Sequence, residues 1–116
     1  MQELKHWRLE REPAGLAWLI FDKAGESTNT LSAEAMRELG LVLDELDREP
    51  PKALVIRSGK SAGFIAGADI EEFTKIDSPE GARALVQRGW DMYNRLAAVR
   101  YPTLALIRGH CMGGGT

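Results

Sequence analysis

The positions of this chain best suited to chemistry are mostly positions without large side chains. Ala66-Gly67-Ala68-Asp69 and Gly113-Gly114-Gly115 each follow an apolar run and each reads as the start of a further element. At the start of a helix the first backbone N–H groups have no intrahelical partner, and the aligned peptide dipoles favour negative charge there. With glycine and alanine at these positions, nothing bulky keeps a carbonyl group away. Two such corners on neighbouring strands can aim two N–H donors at one oxygen. That is the specification of an oxyanion hole, in which donors are fixed in advance where negative charge develops. The same spacing also describes two ordinary tight turns of an α/β protein.

Two other segments imitate known chemistry. Gly59-Lys60-Ser61 looks like the end of a phosphate-binding P-loop, but that motif has a glycine five residues before Gly59, and position 54 is Leu. Lys60 is therefore expected to be a solvated side chain. Gly109-His110-Cys111-Met112-Gly113 matches the G-x-nucleophile-x-G elbow with a thiol as nucleophile. Such a thiol needs a base oriented by an acid, and in those hydrolases the histidine comes later in the chain. The chain has only His6 and His110. Cys111 is thus expected to be a buried structural residue, with a Cys111 hydrolase as the alternative. One cysteine and two histidines also make a poor ligand set, so no metal site is expected.

The elements that must position these corners follow from hydropathy patterning. Trp7, Leu9 and Arg11 alternate with Arg8, Glu10 and Glu12 as in a half-buried strand. Pro13-Ala14-Gly15 is a turn, and residues 16–22 form a second, more buried strand, completing a hairpin. Residues 23–30 are a polar loop. Ser32 is a helix N-cap, followed by Ala35, Met36, Leu39, Val42, Leu43 and Leu46 at helical spacing as far as Arg48, before Pro50-Pro51. Residues 53–58 are a strand covered on both faces. Residues 59–69 are a loop of mostly small residues. It leads into a short helical turn with Asp69 as cap and Glu71 and Glu72 as solvated acids at its positive end. Ser78-Pro79-Glu80 opens a long helix running to Val99, and residues 103–108 are a further buried strand after Pro102. The order suggests a ββα unit used more than once.

Composition narrows the function classes. At 116 residues the chain is one domain at most, and 15 Lys and Arg against 17 Asp and Glu leave a net charge of −2. The cations are scattered among acids, so no field gathers phosphates and nucleic acid is not an expected partner. The apolar runs fall far short of the roughly 20 residues of a membrane span. The segment MQELKHWRLERE lacks the apolar stretch of a signal peptide, and the lone Cys111 cannot build a disulfide framework. A cytoplasmic location is expected.

Three strings, KAGESTNTLS (23–32), GFIAGADIEEF (63–73) and PTLALIRGHCMGGG (102–115), resemble the crotonase (enoyl-CoA hydratase/isomerase) superfamily in order and spacing, across nearly the whole chain. GESTNTL together with FIAGADI most resembles the hydratase half of the multifunctional fatty-acid β-oxidation α subunits, whose second half is a 3-hydroxyacyl-CoA dehydrogenase. The resemblance implies an α/β fold of the crotonase type, a spiral of ββα units. Residues 1–116 would be the N-terminal portion of one such domain. It implies addition of water across the 2,3 double bond of a trans-2-enoyl-CoA without a cofactor, NAD entering only if a dehydrogenase half follows.

By the same resemblance, the backbone N–H groups of Ala68 and Gly114 are the oxyanion donors. Ala24, Gly25, Asn29, Ala66, Gly67, Ala68, Asp69 and Ile70 lie where the family holds coenzyme A. The family's two glutamates, which activate water and protonate C2, would fall beyond Thr116. The 116-residue piece alone is therefore expected to be inactive, and a double-bond isomerase or a non-catalytic acyl-CoA-binding fragment remain alternatives. Expected partners are an acyl-CoA and either further copies in trimers or a thiolase subunit.

Overall fold

Alternation over residues 7–11 and the denser apolar run after Gly15 produce β1 (Trp7–Arg11) and β2 (Leu16–Phe21), an antiparallel pair. The computed structural model describes residues 3–116. Met1 and Gln2, at the head of the N-terminal segment, and the side chain of Phe73 lie outside the described residues. The hairpin is followed by α1 (Ala33–Arg48), whose N-cap Ser32 accepts the Ala35 N–H at 3.1 Å through its hydroxyl. Next come β3 (Ala53–Ser58), β4 (Gly63–Ile65), α2 (Ile70–Thr74) and α3 (Pro79–Ala97). The chain then runs through β5 (Thr103–Leu106) and β6 (His110–Cys111) into a 3₁₀ turn at Gly113–Gly115.

β3 adds in parallel to β2, and β5 in parallel to β3, giving one sheet in the order β1-β2-β3-β5. β4 and β6 pair in parallel as a second, two-stranded sheet. The second and third passes of the chain therefore make the same move, one strand into the large sheet and the next into the small one. The reuse of a ββα unit read from the sequence is present, and it brings the chain after β4 beside the chain after β6.

The core forms where the apolar stripe of α1 meets the large sheet. Ala35, Leu39, Val42, Leu43 and Leu46 pack with Ala17, Leu19, Phe21 and Leu54, all buried. Burying each leucine-sized side chain contributes about 2 kcal/mol. Trp7 stacks on Phe21 with ring centroids 4.2 Å apart and donates its indole N–H to the Ala35 carbonyl at 2.8 Å. Among the described residues no helix is long and apolar enough to cross a membrane.

Two expectations are corrected here. The loop expected at 59–69 contains β4, whose three residues are all buried. A run of three flanked by small residues is too short to show a period. The strand expected to be buried at 103–108 is β5, and it is exposed along its length, Leu104 by 57%. It is the last strand of the large sheet, and among the described residues no layer packs over it.

One buried polar side chain ties the two sheets together. Asn29, 1% exposed, accepts the Lys23 N–H at 2.9 Å through Oδ1. Its Nδ2 donates to the Phe21 carbonyl at 2.9 Å, the Ser58 hydroxyl at 3.0 Å and the Phe64 carbonyl at 3.0 Å. It thus joins the ends of β2 and β3 to β4. Asn29→Ala strands four buried groups, one donor and three acceptors, at about 1 kcal/mol each, so a loss of about 4 kcal/mol in urea unfolding is expected, seen as a lower midpoint with unchanged slope.

Candidate functional site at two abutting corners

The corners singled out from the sequence touch. The Met112 N–H donates to the Ile65 carbonyl at 3.0 Å, which sets the end of β6 against the end of β4. Gly67 (φ +116°) and Gly113 (φ +54°) both adopt backbone angles that favour glycine. A Cβ on Gly67 would sit 3.4 Å from the Met112 carbonyl oxygen, and one on Gly113 would sit 3.5 Å from the Cα of Gly67. The two turns therefore meet backbone to backbone.

Two backbone donors are left over at this junction. Leu31 donates its N–H to the Gly67 carbonyl at 2.8 Å and accepts the Asp69 N–H at 3.0 Å, a parallel bridge centred on Ala68. In a parallel bridge those bonds use the residues on either side of Ala68, so the N–H of Ala68 itself points away. In the 3₁₀ turn Gly115 donates to Met112 and Thr116 to Gly113, at 2.9 and 3.0 Å. Among the described residues neither the Ala68 N–H nor the Gly114 N–H has an acceptor. The Gly114 carbonyl accepts from the Tyr93 hydroxyl at 2.9 Å, and burial pushes that phenol's pKa up, keeping it a donor. A Cβ at Gly114 would run into the Tyr93 hydroxyl and come within 3.0 Å of Leu31 Cδ1.

The polar loop 23–30 is pinned from beneath. Lys60, expected to be solvated, is buried, and its Nζ donates to Asp22 Oδ1 at 2.6 Å, the Lys23 carbonyl at 2.8 Å and the Glu26 carbonyl at 2.6 Å. The correction has a simple cause: three inward-turned oxygens of one loop satisfy one ammonium. Lys23 is buried as well, donating to Thr30 Oγ1 at 2.8 Å and Asp69 Oδ2 at 3.0 Å, with Glu26 Oε1 at 3.4 Å. The Ala24 N–H donates to His6 Nδ1 at 3.1 Å.

Of the positions matched to coenzyme A, Ala24, Gly25, Ala68 and Ile70 are exposed, and Ala66 and Asp69 are half-buried. Gly67 is buried against the second corner. The Asn29 side chain is buried and bonded within the fold, so it shapes the loop. Asp69 caps α2 as expected, Oδ1 accepting the Glu71 N–H at 3.1 Å. Glu71 is exposed, but Glu72 reaches across to accept the Ala33 N–H at 2.8 Å.

The elbow arrangement does not form. Cys111 is half-buried with its Sγ 3.5 Å from the Gly115 carbonyl, and neither histidine reaches it: His6 is bonded elsewhere and His110 is exposed. Sequence reasoning missed a cluster of His6, Glu34 and Glu38, whose ligating atoms lie within 4.8 Å of one another. No sequence pattern marks it, since His6 lies on the far side of the hairpin in the chain. His6 Nδ1 accepts from Ala24, so the imidazole proton sits on Nε2, which donates to Glu34 Oε1 at 2.6 Å. Glu38 accepts the Lys5 and His6 N–H groups at 3.1 and 2.9 Å. Both of its oxygens are engaged by these backbone N–H groups, and the cluster fastens the N-terminal segment to α1.

The chain matches the family described as Enoyl-CoA hydratase/isomerase over residues 11–116. It is 40% identical over 112 residues to the fatty acid oxidation complex subunit alpha of Shewanella sp. (strain ANA-3), a match that covers 96% of this chain and 16% of that protein. Two solved structures share the fold. DspI of Pseudomonas aeruginosa aligns with a TM-score of 0.86 at 24% identity, covering 99% of this chain and 43% of that one. An enoyl-CoA hydratase from Shewanella pealeana aligns with a TM-score of 0.84 at 23% identity, covering 97% and 43%. The fold is that of the crotonases, and the chain spans 16% of the length of its curated relative.

The Lys23 ammonium beside Asp69 holds that carboxyl below its ordinary value of 3.8. A carboxyl depressed in the folded state contributes stability that is fully present above its unfolded value and is lost as pH falls through the folded one. The stability advantage of the unaltered protein over Asp69→Asn should therefore be constant near neutral pH and decline as pH falls below about 3.8 through the lower folded value, as read from urea unfolding at each pH.

Proposed function

Because this chain belongs to the enoyl-CoA hydratase/isomerase family, we propose that its two corners receive the thioester carbonyl of a trans-2-enoyl-CoA, with the N–H groups of Ala68 and Gly114 as donors, for hydration of the 2,3 double bond. The observation that carries this is the pair of N–H groups without acceptors on two turns in backbone contact. When water adds at C3, electron density moves through C2 onto the thioester oxygen. Donors already in place stabilise that charge without reorganising, and each contributes on the order of 3 kcal/mol, or about two powers of ten in rate. The exposed Ala24, Gly25 and Ile70 and the half-buried Ala66 and Asp69 border the path for coenzyme A.

Activating water and delivering a proton to C2 are tasks for two carboxylates of separated proton affinity. Around these corners Asp69 is held by Lys23 and Glu72 accepts the Ala33 N–H, both tied to the fold, and Glu71 stands on the exposed first turn of α2. We therefore assign residues 1–116 to the N-terminal portion of one hydratase/isomerase domain, the portion that supplies the carbonyl-binding donors. The relative's description as a subunit of a fatty acid oxidation complex supports a role in fatty-acid oxidation and further chains as partners, either copies of this one or a thiolase. Hydration itself uses no cofactor, and NAD belongs only to a dehydrogenase half. A cytoplasmic setting is part of the same proposal, supported by the unpaired thiol of Cys111.

In the protein as its gene encodes it, Ala68→Pro deletes one donor and should lower kcat for crotonyl-CoA hydration by about 10²–10³-fold, as followed by the loss of enoyl-thioester absorbance. Full kcat in the folded variant would remove Ala68 from this role. The polypeptide of residues 1–116 by itself should show no hydration of crotonyl-CoA, and turnover comparable to a complete hydratase would refute the assignment of the acid/base work to other residues.

A further inference from the structure

The residue next to Ala68 carries a charge of the wrong sign for the proposed chemistry. Asp69 has a structural reason to be polar, since its Oδ1 accepts the Glu71 N–H, while the Gly67–Ala68 peptide is oriented by the Leu31 N–H bonded to the Gly67 carbonyl. Asparagine caps a helix about as well as aspartate does. A carboxylate on the residue next to a group meant to bind a developing oxyanion opposes that oxyanion unless a cation offsets it. Its counterion comes from a different element. Lys23, from the loop after β2, has a side chain only 7% exposed and places its Nζ 3.0 Å from Asp69 Oδ2.

We propose that Lys23 is an electrostatic positioning residue for the Ala68 corner: its buried ammonium cancels the charge that Asp69 would otherwise present beside the thioester oxygen, while leaving Asp69 its cap. The idea rests on the reading of Ala68 given above. Besides Asp69, the acids nearest it in the fold are Glu26, Asp22 and the first-turn Glu71 and Glu72 of α2, of which Glu71 is exposed and Glu72 accepts the Ala33 N–H. Glu26 Oε1 lies 3.4 Å from Lys23 Nζ and shares the ammonium, while Asp22 is bound by Lys60 at 2.6 Å. Lys23 is thus the cation that stands between two carboxylates, and the Thr30 hydroxyl fixes it there at 2.8 Å. Its removal would release negative potential toward the corner, an effect on the charged transition state more than on the binding of a neutral enoyl thioester.

The test is a three-variant set in the protein as its gene encodes it, with kcat and KM for crotonyl-CoA hydration as readouts and circular dichroism as a check on folding. Lys23→Met should lower kcat by about tenfold or more with a much smaller change in KM. Asp69→Asn, which keeps the cap and removes the charge, should lower kcat much less than Lys23→Met does, any loss of contact along the coenzyme A path appearing in KM. The double variant should recover most of the kcat lost in Lys23→Met. A purely mechanical tether predicts the opposite pattern: both single variants lose kcat together and the double is no better, which would overturn the proposal. If Lys23→Met does not fold, Asp69→Asn alone decides, and a fall in its kcat of about tenfold counts against the electrostatic role. An unaltered protein without turnover would defeat the underlying function and this proposal with it, whereas normal kcat in Lys23→Met would defeat the proposal alone.

Discussion

Gly67 and Gly113 meet in van der Waals contact, each at a positive φ that side-chain-bearing residues rarely adopt, and most of the surrounding structure serves to hold them there. Backbone-to-backbone contact has no flexible group to absorb an error, so the strands that deliver the two turns must be fixed in register. The parallel pairing of β3 with β5 does this in the large sheet, and that of β4 with β6 does it in the small one. Each strand enters its turn at the same level as its partner. The bridge between Leu31 and the segment 67–69 then orients the first turn from its other side. Two N–H groups without acceptors are the residue of these constraints: their neighbours are bonded, and the pairing geometry faces them outward.

The polar interior supports the same arrangement at a cost. Two buried ammonium groups and a buried amide are expensive to desolvate unless every donor finds an acceptor. Apart from Asp69, the acceptors of the two ammonium groups are carbonyls and side chains of the loop 22–30, and the Asn29 amide joins the ends of β2 and β3 to β4, so the penalty is offset only while that loop keeps one shape. The loop is irregular and exposed at Ala24 and Gly25, yet it is held from below by Lys60, Lys23 and Asn29 and from the side by His6. An apolar filling would have removed the penalty and with it the reason for the loop to adopt a single conformation.

What was legible in the sequence follows from what leaves a local trace. Helix starts were readable because Ser32 and Ser78 cap with their own hydroxyls, at 3.1 and 3.0 Å from the N–H groups three residues on. The hairpin and β3 were readable because burial imposes a period or a continuous apolar run. The corners were readable because glycine at a positive φ is a local requirement. The rest is non-local. β4 is three residues long and owes its existence to β6, some 45 positions later in the numbering. Lys60 and Asn29 look like ordinary polar residues, and their burial is decided by carbonyls that arrive from other segments. The exposure of β5 is likewise set by its place at the end of the sheet order, which no window of its own sequence contains.

These facts bear on why an anion site here would be built from amides. A lysine or arginine at the corners would supply more charge, but it would bind the ground-state thioester's surroundings and water as well, and its side chain would have to be ordered each time charge develops. Amide donors on turns locked by their neighbours are ordered before any ligand arrives, and their weak partial charges discriminate by position instead of by strength. The lysines of this region are consistent with that division of labour: both lie beneath the loop with their valences filled by protein oxygens, one of them against Asp69. The near-neutral net charge of −2 is then no obstacle to a site for negative charge, because the relevant potential is local and dipolar. Such a site tolerates little rearrangement, and that returns the requirement to the two glycines in contact.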